Sequence, residues 1–266
     1  MPSSLATRTT GDAGPRVVFL HGLFGQGRNW HTLALRLAER GYRVTTVDLP
    51  NHGRSPWTPN QDYGEMAEMV AELLEELGEP VTLVGHSMGG KVAMTLALRR
   101  PELLTALVVV DISPVDDRDE RKGSEFDRFI DAMRALDLST LDSRAAADAA
   151  LAETVPDPTV RGFLLQSLVR DGGQGWRWRL NLDVLQEHLA DLGRFPKPAP
   201  GAVYEGPVLW IAGADSGYIR EENRPAMAAL FPRTRLVRIK GAGHWVHSER
   251  PDVFLSTLSQ FLDEVS

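Results

Sequence analysis

Apolar and polar positions along the chain switch repeatedly between two periods. Arg16 to Leu20 (RVVFL) is a short apolar run rich in β-branched residues, as in a buried strand. Trp30 to Arg40 changes to the three-to-four spacing of a helix with one apolar face and stops at Gly41. Tyr42 to Val47 predicts a strand, Tyr63 to Leu77 an amphipathic helix ending at Gly78, and Val81 to Val84 a strand. Met88 to Arg100 predicts a helix closed by Pro101, and Leu104 to Val110 another buried strand. Leu5 to Thr10 suits a short edge strand. Near the end the rhythm returns, with strands at Val208 to Ala212 and Arg235 to Ile239 and helices at Glu221 to Leu230 and Pro251 to Val265. Strands alternating with helices predict an α/β fold, a mostly parallel central sheet with helices on both faces.

Between these stretches the alternation breaks. From Ser113 to about Glu205 the spacing is helical and no segment reads convincingly as a strand. Helices are expected at Phe126 to Leu136, Ser143 to Glu153, Pro158 to Val169 and Val184 to Leu192. A stretch rich in Gly and Trp, Asp171 to Trp178, separates the last two, and the Pro- and Gly-rich Phe195 to Gly206 reads as a linker. The simplest domain plan is a core built from residues 1–114 and 206–266, interrupted by a helical cap over residues 115–205.

Composition narrows the classes. With 266 residues, 42% hydrophobic and 24% charged, the chain can bury the core of one large domain. A net charge of −7 argues against nucleic acid or anionic membrane surfaces as partners. The absence of cysteine excludes a disulfide framework, a thiolate metal site and a cysteine nucleophile, and suits a reducing cytoplasm. Met1 to Thr10 has no apolar signal-peptide core, and no apolar run reaches the roughly 20 residues of a membrane span. The expected setting is therefore cytoplasmic, and a homodimer is compatible with it. The histidines show no metal-ligand spacing, so no metal is expected.

The chemistry concentrates in Gly85-His86-Ser87-Met88-Gly89, between a predicted strand and a predicted helix. G-x-S-x-G in that setting is a nucleophile elbow, a sharp turn that lifts the serine hydroxyl above the sheet. A serine needs a base, and Gly241-Ala242-Gly243-His244-Trp245 supplies His244 after the last strand, at the sheet edge where Ser87 also lies. His247 is a rival base expected to be structural. His21-Gly22-Leu23-Phe24-Gly25 follows the first central strand, where such folds place an oxyanion loop; Leu23 and Met88 are the expected N–H donors, and His21 braces the loop. The acid that orients His244 is favoured to be Asp111, at the end of a strand, with Asp215 as its rival; both lie between Ser87 and His244 in the chain. Asp48 to Ser55 reads as a structural loop.

These motifs, with Asn51-His52-Gly53, Gly90-Lys91, Asp111-Ile112-Ser113-Pro114-Val115-Asp116 and Trp245-Val246-His247, resemble one α/β-hydrolase subfamily. It comprises the bacterial YbfF-type esterases and the related abhydrolase-domain protein eleven. The likeness spans nearly the whole chain and reaches the cap in Phe163-Leu164-Leu165, Ser167 and Trp176-Arg177. It implies carboxylesterase or acyl-thioesterase activity without a cofactor, and a triad acid at Asp111. Much of the superfamily instead carries the acid after the following strand, as G-x-x-D. Here Gly213-Ala214-Asp215-Ser216 places serine there and aspartate one residue early, in a subfamily that usually has asparagine at that earlier place, so Asp215 stays a rival or support.

The expected function is hydrolysis of a small-molecule ester or acyl thioester through an acyl-enzyme. The acyl pocket is expected to be lined by Phe24, Trp245, Phe126, Phe129, Met133, Phe163 and Trp178. Lactonase, carbon–carbon bond hydrolase and perhydrolase chemistries share the triad, and a small-molecule receptor could use the same scaffold. Dehalogenases and epoxide hydrolases need an aspartate where Ser87 stands.

Overall fold

A computed structural model describes residues 5–116, 125–173 and 175–265. Strands β1 (Thr7–Thr10), β2 (Arg16–Leu20), β3 (Arg43–Val47), β4 (Val81–His86), β5 (Leu104–Val110), β8 (Val208–Gly213) and β9 (Thr234–Ile239) form one sheet in the order β1-β3-β2-β4-β5-β8-β9. Only β1, at one edge, runs antiparallel; the other pairings are parallel. This is the mostly parallel sheet that the alternation predicts.

The period of two along the strands divides the core. Val17 and Phe19 of β2 face one side, with Trp30 and with Leu33 and Leu37 of α1 (His31–Ala38) and Phe254, Leu255 and Leu258 of α11 (Pro251–Val265). Val18 and Leu20 face the other, with Val70 and Leu74 of α2 (Tyr63–Leu77) and Val92 and Leu96 of α3 (Met88–Arg99). Each such buried side chain contributes roughly 1.5–3 kcal/mol of transfer free energy. Helix α2 has the bounds read from sequence because both its ends are chemically marked. The Asp62 carboxylate accepts from the N–H groups of Gly64 and Glu65, and Gly78 takes the left-handed conformation at φ 73°. Helix α9 (Arg224–Leu230) precedes β9, and the short α10 (Val246–Glu249) lies between β9 and α11.

All strands of the sheet come from outside the interrupting segment, which holds α4 (Glu125–Ala135), α5 (Arg144–Leu151), α6 (Pro158–Leu165), α7 (Leu182–Glu187) and α8 (Leu189–Leu192). Two readings of it need correction. The segment is not free of strands: β6 (Leu168–Arg170) and β7 (Trp176–Trp178) form a two-stranded antiparallel ribbon, paired among the described residues only with each other. Helix α6 accordingly stops at Leu165 rather than Val169. Strands of three residues are too short to display a period, so their apolar positions merge with the helical pattern before them. The single helix expected over Val184 to Leu192 is likewise two short ones.

The segment is tied to the sheet side by polar bonds. Lys91 of α3, fully buried, donates from Nζ to the carbonyls of Gly193 (2.8 Å) and Arg194 (3.1 Å), just past α8. The Tyr63 hydroxyl donates to the Leu192 carbonyl (2.8 Å). A buried ammonium at a helix carboxyl end is satisfied by the free carbonyls there. Among the described residues no helix is long and apolar enough to cross a membrane.

Candidate active site

Four non-glycine residues in the described structure have positive φ, and all follow the carboxyl ends of adjacent strands: Phe24 (63°) after β2, Asn51 (64°) after β3, Ser87 (51°) after β4 and Asp111 (51°) after β5. Such backbone costs about 1–3 kcal/mol per residue and persists only where its surroundings enforce it. At Ser87 they do. Its N–H donates to the Val110 carbonyl (3.0 Å), and its own carbonyl accepts from Lys91 N–H (3.0 Å) as α3 begins. A Cβ on Gly85 would collide with the Gly89 carbonyl oxygen, so the elbow closes only around glycine.

The structure discriminates between the two aspartates by position. Asp111 is completely buried, and its Oδ2 lies 2.8 Å from His244 Nδ1. Oδ1 accepts from Gly213 N–H (3.0 Å), and Oδ2 also accepts from the Ser216 hydroxyl (2.5 Å). Asp215 is exposed, and its backbone N–H bonds the Ala242 carbonyl (2.9 Å). Ser216, at the superfamily's usual acid position, thus holds the aspartate that occupies the other place. A Cβ on Gly213 would strike the Gly243 carbonyl oxygen, so glycine there lets the His244 loop come down onto β8.

Three further residues shape His244, and of these only His86 belongs to a motif, that of the elbow. The Tyr218 ring stacks on the imidazole, centroids 4.1 Å apart. Glu249 clamps the loop, accepting from Gly243 N–H (2.7 Å) and Trp245 N–H (3.2 Å). His86 Nε2–H donates to the His244 carbonyl (2.9 Å), and its ring lies 4.7 Å from the His244 ring. Ser216 had one sequence signal, its place in G-x-x-D; Tyr218 and Glu249 had none.

The other histidines near the site are held neutral. His21 donates from Nδ1 to the Gly22 carbonyl (2.8 Å) and accepts at Nε2 from Leu49 N–H (2.9 Å). His52 donates to the Pro50 carbonyl (2.8 Å) and accepts from Phe24 N–H (3.3 Å). Each ring needs one bare nitrogen. Burial accordingly pushes His21 down to about 4, and burial with the charge of His21 pushes His52 to about 3. His247, against Trp30 at 4.2 Å, falls to about 3 through burial and then His244, and His86 is lowered well below the usual range, first by burial. Unfolding restores pKa values near 6.5, so the unfolded chain takes up protons first. The stabilisation is complete above that value and is lost progressively as pH falls from there through the folded values of about 4 and 3. Counting only His21, His52 and His247, denaturant titration should find the protein about 4 kcal/mol less stable at pH 5.5 than at 7.5. Equal stability at the two values would contradict the neutral assignment.

Ser87, His86 and His244 line one cavity with Leu23, Phe24, Phe126, Phe129, Val160, Phe163, Leu164 and Trp245. The Leu23 N–H has no partner among the described residues, whereas the neighbouring Phe24 N–H is taken by His52. Met88 is the first residue of α3, where N–H groups lack helical partners. Of the aromatic and apolar residues expected at the pocket, Met133 and Trp178 do not line it. Trp178 Nε1–H donates to the Met133 carbonyl (3.0 Å), and both are buried among the helices around α4. Val160 and Leu164 of α6 take their place. The free volume is about 10 Å³, room for about one water. Among the described residues no cluster of three His, Cys, Asp or Glu could hold a metal ion.

The alpha/beta hydrolase fold family matches residues 15–251. The mouse protein named sn-1-specific diacylglycerol lipase ABHD11 is 43% identical over 254 residues, spanning 93% of this chain and 81% of that one. Esterase YbfF of Escherichia coli is 35% identical over 250 residues, 93% of each chain. The solved structure of a marine microorganism esterase superposes with a TM-score of 0.93 at 31% identity, covering 97% of this chain and 99% of that one. With its elbow, its buried Asp–His pair and its mostly parallel sheet, the chain belongs to the α/β-hydrolase superfamily, and within it to the ABHD11 and YbfF type.

Proposed function

We propose that the protein is a serine hydrolase of carboxylic esters or acyl thioesters, working in the cytoplasm through the triad Ser87, His244 and Asp111. The observation that carries this is the 2.8 Å contact between His244 Nδ1 and the buried Asp111 carboxylate, beside a strained Ser87 in the same cavity. Asp111 accepts the Nδ1 proton and leaves Nε2 bare to act as base. Ser87 Oγ attacks the acyl carbon as His244 takes its proton. The Leu23 and Met88 N–H groups stabilise the oxyanion, an effect worth about 3–4 kcal/mol per donor in a comparable site. The leaving alcohol or thiol takes the proton from His244; water then repeats the sequence and frees the acid.

The segment between β5 and β8 acts in this reading as a cap. Phe126 and Phe129 of α4 and Val160, Phe163 and Leu164 of α6 roof the cavity from that segment. The test is labelling with a fluorophosphonate and mapping of the adduct by mass spectrometry. Modification at Ser87 alone, with loss of esterase activity, is the expected result. An adduct on another serine, or inactivation without any adduct, would refute the assignment.

A further inference from the structure

The loop that carries Leu23 lies directly against the elbow: a Cβ on Gly22 would come within 3.3 Å of the Ser87 Cβ. Its first peptide is pinned. The Gly22 carbonyl accepts from His21 Nδ1–H (2.8 Å) and from Gly25 N–H (3.0 Å). No peptide bond among the described residues is cis, so the Leu23 N–H points opposite that carbonyl, away from both donors. The next residue is strained. Phe24 is buried and holds φ 63°, a conformation that a side chain of its size keeps only under constraint.

The constraint acts on both polar backbone groups of Phe24, and only one of them is met from the sheet side. Its N–H donates to His52 Nε2 (3.3 Å), in the loop after β3. Its carbonyl accepts from the Ser167 hydroxyl (3.3 Å), which lies between α6 and β6 in the cap. Ser167 is in turn tied back to His52. The Ser167 carbonyl accepts from Arg179 N–H (2.8 Å), the Arg179 carbonyl accepts from Gly53 N–H (2.8 Å), and Gly53 follows His52 in the chain. Phe24, His52, Gly53, Arg179 and Ser167 therefore close a circuit of hydrogen bonds, and two of its five members belong to the cap. Asn181 reinforces it from the same strip of the cap. Its Nδ2–H donates to Asn51 Oδ1 (2.9 Å) and its backbone N–H to the Asn51 carbonyl (3.0 Å). Phe24, His52 and Ser167 are all buried, so no solvent replaces the Ser167 donor if it is withdrawn.

We propose that Ser167 is a positioning residue for the oxyanion hole. By holding the Phe24 carbonyl from the cap it fixes the peptide beside Leu23, so the hole is complete only while the cap is seated on this loop. This rests on the serine-hydrolase reading and adds a residue to it. Ser167 does not line the cavity of Ser87. Its effect falls on the oxyanion, whose charge develops only as Ser87 attacks, so it acts on kcat and leaves ground-state binding alone. His52 supplies the other half of the hold. Its Nδ1–H is committed to the Pro50 carbonyl, which leaves Nε2 bare to accept from Phe24.

Two measurements on the whole chain test this: kinetics on a p-nitrophenyl ester and inhibition by an alkyl trifluoromethyl ketone. The ketone adds to Ser87 as a hemiketal anion and so reports on the hole without turnover. In Ser167→Ala, kcat should fall about tenfold, short of the roughly 10²–10³ seen when a donor is deleted outright. KM should stay within twofold, and the inhibition constant of the ketone should rise by a factor matching the fall in kcat. Asn181→Ala should show the same split more weakly, and its result decides the matter if Ser167→Ala does not fold. Tyr63→Phe removes a bond to the cap outside the circuit and should leave both kcat and the inhibition constant within twofold. A kcat within twofold of wild type in Ser167→Ala, a fall in kcat with an unchanged inhibition constant, or an equal fall in Tyr63→Phe overturns the inference while the hydrolase stands. A wild type that neither cleaves the ester nor binds the ketone overturns both.

Discussion

Ser87→Ala is expected to lower kcat on a p-nitrophenyl ester by about 10⁴- to 10⁶-fold, the range seen when a triad nucleophile is removed. The reason is chemical rather than architectural. Alanine keeps the Cβ, and the elbow is held by backbone, Ser87 N–H to the Val110 carbonyl and Lys91 N–H to the Ser87 carbonyl. Ser87→Gly separates the two aspects. Glycine adopts φ 51° without penalty, so this variant should be as inactive but more stable, by about 1 kcal/mol, partly offset by glycine's extra freedom when unfolded. The rates and melting temperatures of both variants decide the matter. Residual activity above about 1% of wild type in Ser87→Ala would mean that another group is the nucleophile.

Asp111→Asn is the second large effect, with kcat expected to fall by up to about 10⁴ while the fold survives. Asparagine can keep the bond from Gly213 N–H at its oxygen. It then presents an NH₂ where Oδ2 now accepts from both Ser216 and His244 Nδ1. Facing a donor, His244 must turn Nδ1 into an acceptor, which moves the ring proton to Nε2 and removes the base from Ser87. Asp215→Asn touches an exposed side chain and should cost no more than about tenfold, roughly 1.4 kcal/mol. Should Asp215→Asn prove the more damaging of the two, the acid has been misassigned.

The parts of the architecture legible in the sequence are those written in local chemistry. Helix α2 begins at an aspartate cap and ends at a left-handed glycine, and β5 is seven apolar or β-branched residues, so both bounds could be read directly. The elbow was legible because G-x-S-x-G lay between a strand and a helix. What stayed hidden depends on contacts between distant residues. Trp178 and Met133 have the size and polarity of pocket residues, and only their mutual packing shows that they belong to the interior around α4. Tyr218 reaches His244 by stacking from a loop with no pattern of its own. The ribbon of β6 and β7 fell below the length at which alternation can be counted.

The contact between Asp111 and His244 joins residues 133 positions apart, and the chain between them includes β8 and β9. Loop closure on that scale comes late, after local elements have formed. On the proposed triad, a growing chain therefore carries Ser87 on a completed β4 and α3 long before it has its base. Until β9 joins β8 and the following loop descends past Gly213, the hydroxyl is an ordinary alcohol. On that reading hydrolytic competence is a property of the finished sheet, and a chain interrupted before His244 would carry the serine without its base.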